Sequence, residues 1–217
     1  MKNSLKYAVC MMTSLVFVAN AWAQKTEAWP SKNVRILVPY AAGGPADLVA
    51  RELAQVLAND LKQSVTVENM GGAMGVPALS AVARAEADGH TLLLSAMGNM
   101  VLQPMLSKKG GADLVAKLKP VSTISTGPHV LVVSAKLPVK NIPELIDYAR
   151  ANPGKVSFAS AGTGGTAHLG MEMFKALSKT DVIHVPYKGS AGAVNDLISG
   201  EVSAMFSSLP SLQGLAD

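Results

Sequence analysis

Strand-length apolar runs alternate with single amphipathic helices along almost all of this 217-residue chain, and that alternation restricts the fold more than any other feature. "VRILVPY" (Val34–Tyr40) meets the turn "AAGGPAD" and then "LVARELAQVLANDLK", where Leu53, Leu57 and Leu61 recur at helical spacing. "SVTVEN" is a short strand, "GVPALSAVARAEA" a second helix and "HTLLLSA" (His90–Ala96) another buried strand. A similar series begins near Val121. "HVLVVSA" (His129–Ala135) is a strand, and "NIPELIDYARANPG" a helix with Asn141 as its cap, Glu144 at the capping-box position and Gly154 closing the turn. "VSFAS", "DVIHVPY" and "VSAMFSS" are further strands. Between them lie "AHLGMEMFKALSK", with Leu169, Met173 and Leu177 as its expected buried stripe, and "AGAVNDLIS", closed by Gly200. Strands separated by single helices argue for parallel βαβ units. The expected fold is therefore α/β, in two lobes joined near residues 119–125, with the polar "LSKKGGADLVAKLKP" as a surface connection.

Residues 1–23 stand apart from that pattern. Lys2 and Lys6 form a basic start, "AVCMMTSLVFVA" an apolar stretch, and Ala21-Trp22-Ala23 a small-x-small cleavage pattern, the layout of an export signal. Lobe 1 is then expected over 24–122 and lobe 2 over 123–217. Cys10 is the only cysteine and falls inside the signal, so the mature chain has no disulfide, thiolate metal site or cysteine nucleophile. The formal charge of +4 includes Lys2 and Lys6, and basic residues form no stripe, which disfavours nucleic acid as a partner. The small positive balance suits anionic small ligands.

Each series carries a glycine-rich loop between a strand and a helix: "PYAAGGPAD" (Pro39–Asp47) and "ASAGTGGTAH" (Ala159–His168). In a parallel sheet such loops lie at the carboxyl ends of strands, where ligand crevices form. Glycine permits sharp turns and close backbone approach, and the N–H groups of the following helix make an anion site. The plainer reading is that Gly43, Gly44, Gly162, Gly164 and Gly165 only make tight turns; two such loops at equivalent places favour binding. Neither loop has the Lys-Ser/Thr of a nucleotide P-loop. The match of Gly162-Thr163-Gly164 to a dinucleotide loop lacks its acidic partner, since the next strand ends in "HVPYKG". No cofactor is expected. Ser160, His168 and Asp196 could be assembled into a triad only on paper, because "ASAGT" lacks the nucleophile elbow. His184, in an apolar strand, reads as a structural histidine. Four dispersed histidines without metal-ligand spacing suggest no metal site. Asp47 either caps its helix or shapes the loop so that other amides face a ligand.

The run "WPSKNVRILVPYAAGGPADLVARELAQVLANDL" resembles the N-terminal signature of the Bug family, periplasmic substrate-binding proteins of tripartite tricarboxylate transporters. "VTVENMGGAMGVPALSAVARAEADGHTLLLS", "VSFASAGTGGTAHLGMEMFKAL" and "VIHVPYKGSAGAVNDLISGEVSAMF" continue the resemblance. It implies a two-lobed Venus-flytrap fold with parallel-rich sheets and a small carboxylate held mainly by backbone amides and bridging water. Carried onto this chain, the ligand site comprises Tyr40, Ala41, Ala42, Gly43 and Gly44 with Asp47 in the first loop. The second loop contributes Ser160, Ala161, Gly162, Thr163, Gly164, Gly165 and Thr166, with His168 just inside the helix. Tyr187, Lys188 and Gly189 of "PYKG" line the cleft, and Ser95, Met97 and Asn99 join Tyr187 as candidates for reading the far end of the ligand. The implied partners are membrane permease subunits or a sensor protein, and the implied compartment is the periplasm. Two departures stand out. "SKKGGADLVAKLKPV" replaces the family's usual Tyr-Asp segment, and family members continue well beyond "SSLPSLQGLAD", so the C-terminal part of lobe 1 is expected to be lacking. The competing readings are an exported α/β hydrolase-like enzyme using Ser160 and His168, and a truncated remnant that does not bind.

Overall fold

In a computed structural model, residues 28–106 and 111–212 are described; the expected export signal lies outside them. The first half builds a three-stranded parallel sheet of order β2-β1-β3, from β1 (Val34–Val38), β2 (Val65–Asn69) and β3 (Thr91–Leu93). Helix α1 (Pro45–Leu61) connects β1 to β2, and α2 (Val76–Arg84) connects β2 to β3. Ile36 and Val38 are fully buried with Ala50 and Ala54 of α1, and Leu53 and Leu57 pack beside them as their spacing predicts. A turn of π-helix (Gly98–Leu102) runs into α3 (Gln103–Leu106), and α4 (Gly111–Val115) follows. The stretch expected to be only a connection therefore contains a short helix. Residues 118–128 have no regular structure.

The second half builds a four-stranded sheet of order β4-β7-β5-β6. Its strands are β4 (His129–Val133), β5 (Val156–Ser160), β6 (Val182–Pro186) and β7 (Ala204–Ser208). β5 is parallel to β6 and β7, whereas β4 runs antiparallel to β7, a departure from simple βαβ repetition. Helices α5 (Ile142–Ala151), α6 (Thr166–Ser178) and α7 (Ser190–Ser199) cover the sheet. Leu145, Ala149 and Met171 pack with Val156 and Phe158 on one face, and Ala193 and Leu197 with Ala159 and Met205 on the other. Burial on both faces is what a largely parallel sheet requires. Asn141 caps α5 as expected, its Oδ1 accepting from Glu144 N–H at 2.9 Å. The Glu144 carboxylate closes the box one residue earlier than the usual pattern, accepting from Lys140 N–H at 2.8 Å.

The buried stripe of α6 differs from expectation. Met173 and Leu177 are 63% and 80% exposed, and the helix instead turns Ala167, Met171 and Ser178 inward with Phe174 beside them. Both lines satisfy helical spacing. The small Ala167 and Ser178 allow that face to lie close to the sheet, which hydrophobicity alone does not reveal.

Candidate functional site

Every loop leaving a carboxyl strand end of the first sheet meets a loop from the second half of the chain. Ala41 N–H, after β1, donates to Lys188 O, after β6, at 3.0 Å. A methyl group placed on Gly98, after β3, would lie 3.2 Å from Gly165 Cα. Met74, after β2, reaches the Gly164 backbone, with Leu106 at its side. The crevice is thus bordered by strand ends from both sheets, where open α/β folds place ligands.

The first loop is shaped by Asp47. Its Oδ2 accepts from Gly43 N–H at 2.9 Å and from Arg51 Nε at 2.9 Å, while the residue is 2% exposed. The cap position of α1 is Gly44, without a side-chain cap, so Asp47 shapes the loop rather than capping the helix. Gly43 has a φ of +81°, which glycine adopts without strain. Burial pushes the Asp47 carboxyl up, but the hydrogen bonds from Arg51 and Gly43, with the nearby Asn69 amide, outweigh it and hold it below the usual carboxylate range. A depressed carboxyl contributes stability above its unfolded value and loses it as pH falls through the folded one. Asp47→Asn should therefore flatten the acid limb of a pH–stability curve, read as urea midpoint against pH. Among the described residues, the N–H groups of Ala42 and Gly44 have no acceptor. Tyr40 turns inward, its hydroxyl donating to Asn99 Oδ1, and burial pushes its phenol up to about 12.

In the second loop, Gly162 N–H donates to Ser160 Oγ at 3.2 Å and Gly164 N–H to His168 Nδ1 at 2.9 Å. Gly165 N–H donates to Gly162 O at 3.3 Å. The glycine amides are thus turned into the protein, and those of Ala161, Thr163 and Thr166 have no acceptor among the described residues. Ser160 is 1% exposed and its Oγ lies 2.7 Å from His184 Nε2, not from His168. Asp196 accepts from the Tyr187 hydroxyl. The Ser160–His168–Asp196 triple therefore does not assemble. His184 has the satisfied, structural surroundings expected of it, stacked on His168 with ring centroids 3.9 Å apart. Burial, then the neighbouring His168, lowers its basicity, while Glu172 acts the other way.

The remaining candidates divide. Tyr187 packs against the second core with its hydroxyl on α7, whereas the Lys188 carbonyl and Gly189 face the first loop. Asn99 is buried and engaged, its Nδ2 donating to Met74 O at 2.9 Å. Met97 is exposed, and the buried Ser95 hydroxyl has no partner among the described residues. Sequence reasoning missed a third glycine loop, "MGGAMG" after β2. Gly72, Ala73, Met74 and Gly75 all have positive φ, at +97°, +44°, +55° and +80°. Non-glycine residues in that region carry about 1–2 kcal/mol of strain each, which loops at binding sites commonly store. The signal was a glycine pair directly after a strand, the same signal as in the other two loops. A separate concavity of about 360 Å³, lined by Lys32, Arg35, Asp88 and His90, lies at the amino end of the first sheet. Its Lys32 and Asp88 pair with each other at 2.8 Å.

Two α/β units with their strand-end loops apposed across a crevice define the periplasmic-binding-protein architecture. The chain belongs to the tripartite tricarboxylate transporter family receptors, whose family model matches residues 49–216. It is 37% identical over 205 residues to Protein BugT of Bordetella pertussis, covering 91% of this chain. Among solved structures it is similar to Rpa4515 of R. palustris with adipate, at 34% identity, TM-score 0.83 and 86% of this chain. MatC of Rhodopseudomonas palustris with bound malate follows at 31% identity, TM-score 0.78 and 84% of this chain. The chain spans 62% of the length of each of these three proteins. The family is one of receptors, so the resemblance seen in the sequence holds and the hydrolase alternative is not favoured.

Proposed function

We propose that this chain captures a small carboxylate between lobe 1 (24–122) and lobe 2 (123–217) in the periplasm, after removal of residues 1–23. The carrying observation is the pair of long helices, α1 and α6, each preceded by a glycine loop with unengaged amides bordering one crevice. Ala42 and Gly44 would grip the carboxylate from lobe 1, and Ala161, Thr163 and Thr166 from lobe 2. Charge-assisted bonds from several N–H groups, aided by the helix dipoles, suit a carboxylate without an arginine clamp. Tyr40, Gly43, Asp47, Ser160, Gly162, Gly164, Gly165 and His168 shape the loops, while Ala41, Lys188 and Gly189 join the lobes. Adipate and malate in relatives favour a dicarboxylate. The bound form would be delivered to a membrane permease or reported to a sensor.

A thermal-shift screen of the chain from Gln24 with di- and tricarboxylates tests this, and a shift with recovery of unchanged ligand is the expected result. Gly162 has a φ of +150°, so Gly162→Val should weaken binding about tenfold by displacing the neighbouring amides. No shift with any carboxylate, or wild-type affinity in Gly162→Val, would remove the loop from the site.

A further inference from the structure

A pair of stacked histidines, His168 and His184, lies behind the second loop, and its geometry bears on which amides reach the crevice. His168 Nδ1 accepts from Gly164 N–H at 2.9 Å, so this nitrogen must carry a lone pair. The ring proton then sits on Nε2, which faces Glu172 Oε1 at 3.6 Å. On its other side the ring stacks on His184, whose Nε2 lies 2.7 Å from Ser160 Oγ. Ser160 Oγ in turn accepts from Gly162 N–H at 3.2 Å. Both glycine amides are therefore drawn inward by one connected set of side chains.

The geometry points to His168 as a pH-sensitive positioning residue: when its Nδ1 is free it holds the second loop ready for a carboxylate, and protonation there releases the loop. This rests on the receptor reading above. A proton on Nδ1 would set one N–H against another at Gly164 and remove the acceptor. The titratable groups facing His168 are His184 on β6 and Glu172 one turn along α6, while His129 on β4 reaches Thr166 Oγ1 at 3.0 Å. A charged His184 would oppose charge on His168 across the stack, and Glu172 would favour it. Burial and then His168 disfavour charge on His184, while Glu172 favours it.

The test combines a conservative variant with two readouts. Asn Oδ1 can replace Nδ1 as the acceptor for Gly164 N–H and does not titrate in this range. For adipate as the probe, wild-type affinity should fall about tenfold between about pH 7.5 and about pH 5, the scale of one lost hydrogen bond. His168→Asn, whatever its affinity at about pH 7.5, should lose that pH dependence. In ligand-free protein, the Gly164 amide NMR resonance should titrate with the His168 ring in the wild type and stay still in His168→Asn. Glu172→Gln, on the half-exposed side of α6, should move the wild-type midpoint to lower pH and serves if His168→Asn does not fold. A Gly164 resonance indifferent to pH, or an affinity loss that persists in His168→Asn, overturns the proposal. Absence of adipate binding at about pH 7.5 together with no shift for any carboxylate in the screen would count against the receptor reading, and the ligand-free titration would still decide the role of His168.

Discussion

Gly71→Val is expected to weaken carboxylate binding about a hundredfold while leaving each core packed, because it forces the loop after β2 off the first loop and off the Lys188 carbonyl, where the two halves meet. A Cβ at this position would lie 2.8 Å from Ala41 N and 3.1 Å from both Lys188 O and Tyr40 C. All three are backbone atoms, so no side chain can rotate away. The displaced groups are the two ends of the Ala41–Lys188 hydrogen bond, which joins the first loop to the loop after β6. The obstruction therefore acts on the loops bordering the crevice, with two of the three atoms in the first loop and one in the loop after β6, rather than on either core. Isothermal titration with the tightest carboxylate from the screen reads the loss, and the urea midpoint should move little. Gly71→Ala should lie between wild type and valine. Full affinity in Gly71→Val would mean that this loop contact is absent from the bound state.

Legibility in the sequence followed the range of the forces involved. Element order and the ends of α5 came from local periodicity and capping, which a single segment contains. The two glycine loops were recognisable because strand, glycines and helix adjoin in the chain. What escaped depended on contacts distant in sequence. The Ser160–His184 bond arises from β5–β6 pairing, in which Phe158 sits opposite His184 and Ser160 opposite Pro186. No spacing rule brings residues 24 apart into contact without that register. The same holds for Asn99, which a linear reading offered to the ligand and the fold assigns to Tyr40 and Met74. Asp47 was legible only as a pair of possible roles, since Gly43 and Arg51 must converge on it before one of them prevails.

Phe158→Ala is expected to destabilise the second lobe by about 3–5 kcal/mol, the usual cost of deleting a buried aromatic ring. Phe158 is fully buried, with the Phe174 and Phe206 rings centred 5.3 and 6.0 Å away, so truncation leaves a void walled by two strands and α6. Alternation along β5 places Phe158 on the same face as Ser160, two residues on, and its partner in register is His184. The ring is thus the floor beneath the Ser160–His184 contact, and its loss should loosen the histidine stack as well as the core. Phe158→Leu, which keeps most of the volume, should cost about 1.5 kcal/mol or less and retain binding. Urea unfolding of the three proteins at neutral pH measures both differences. A cost under about 1 kcal/mol for the alanine variant would show that α6 settles onto the sheet without this ring. The second glycine loop would then be held by its own hydrogen bonds rather than by the core below it.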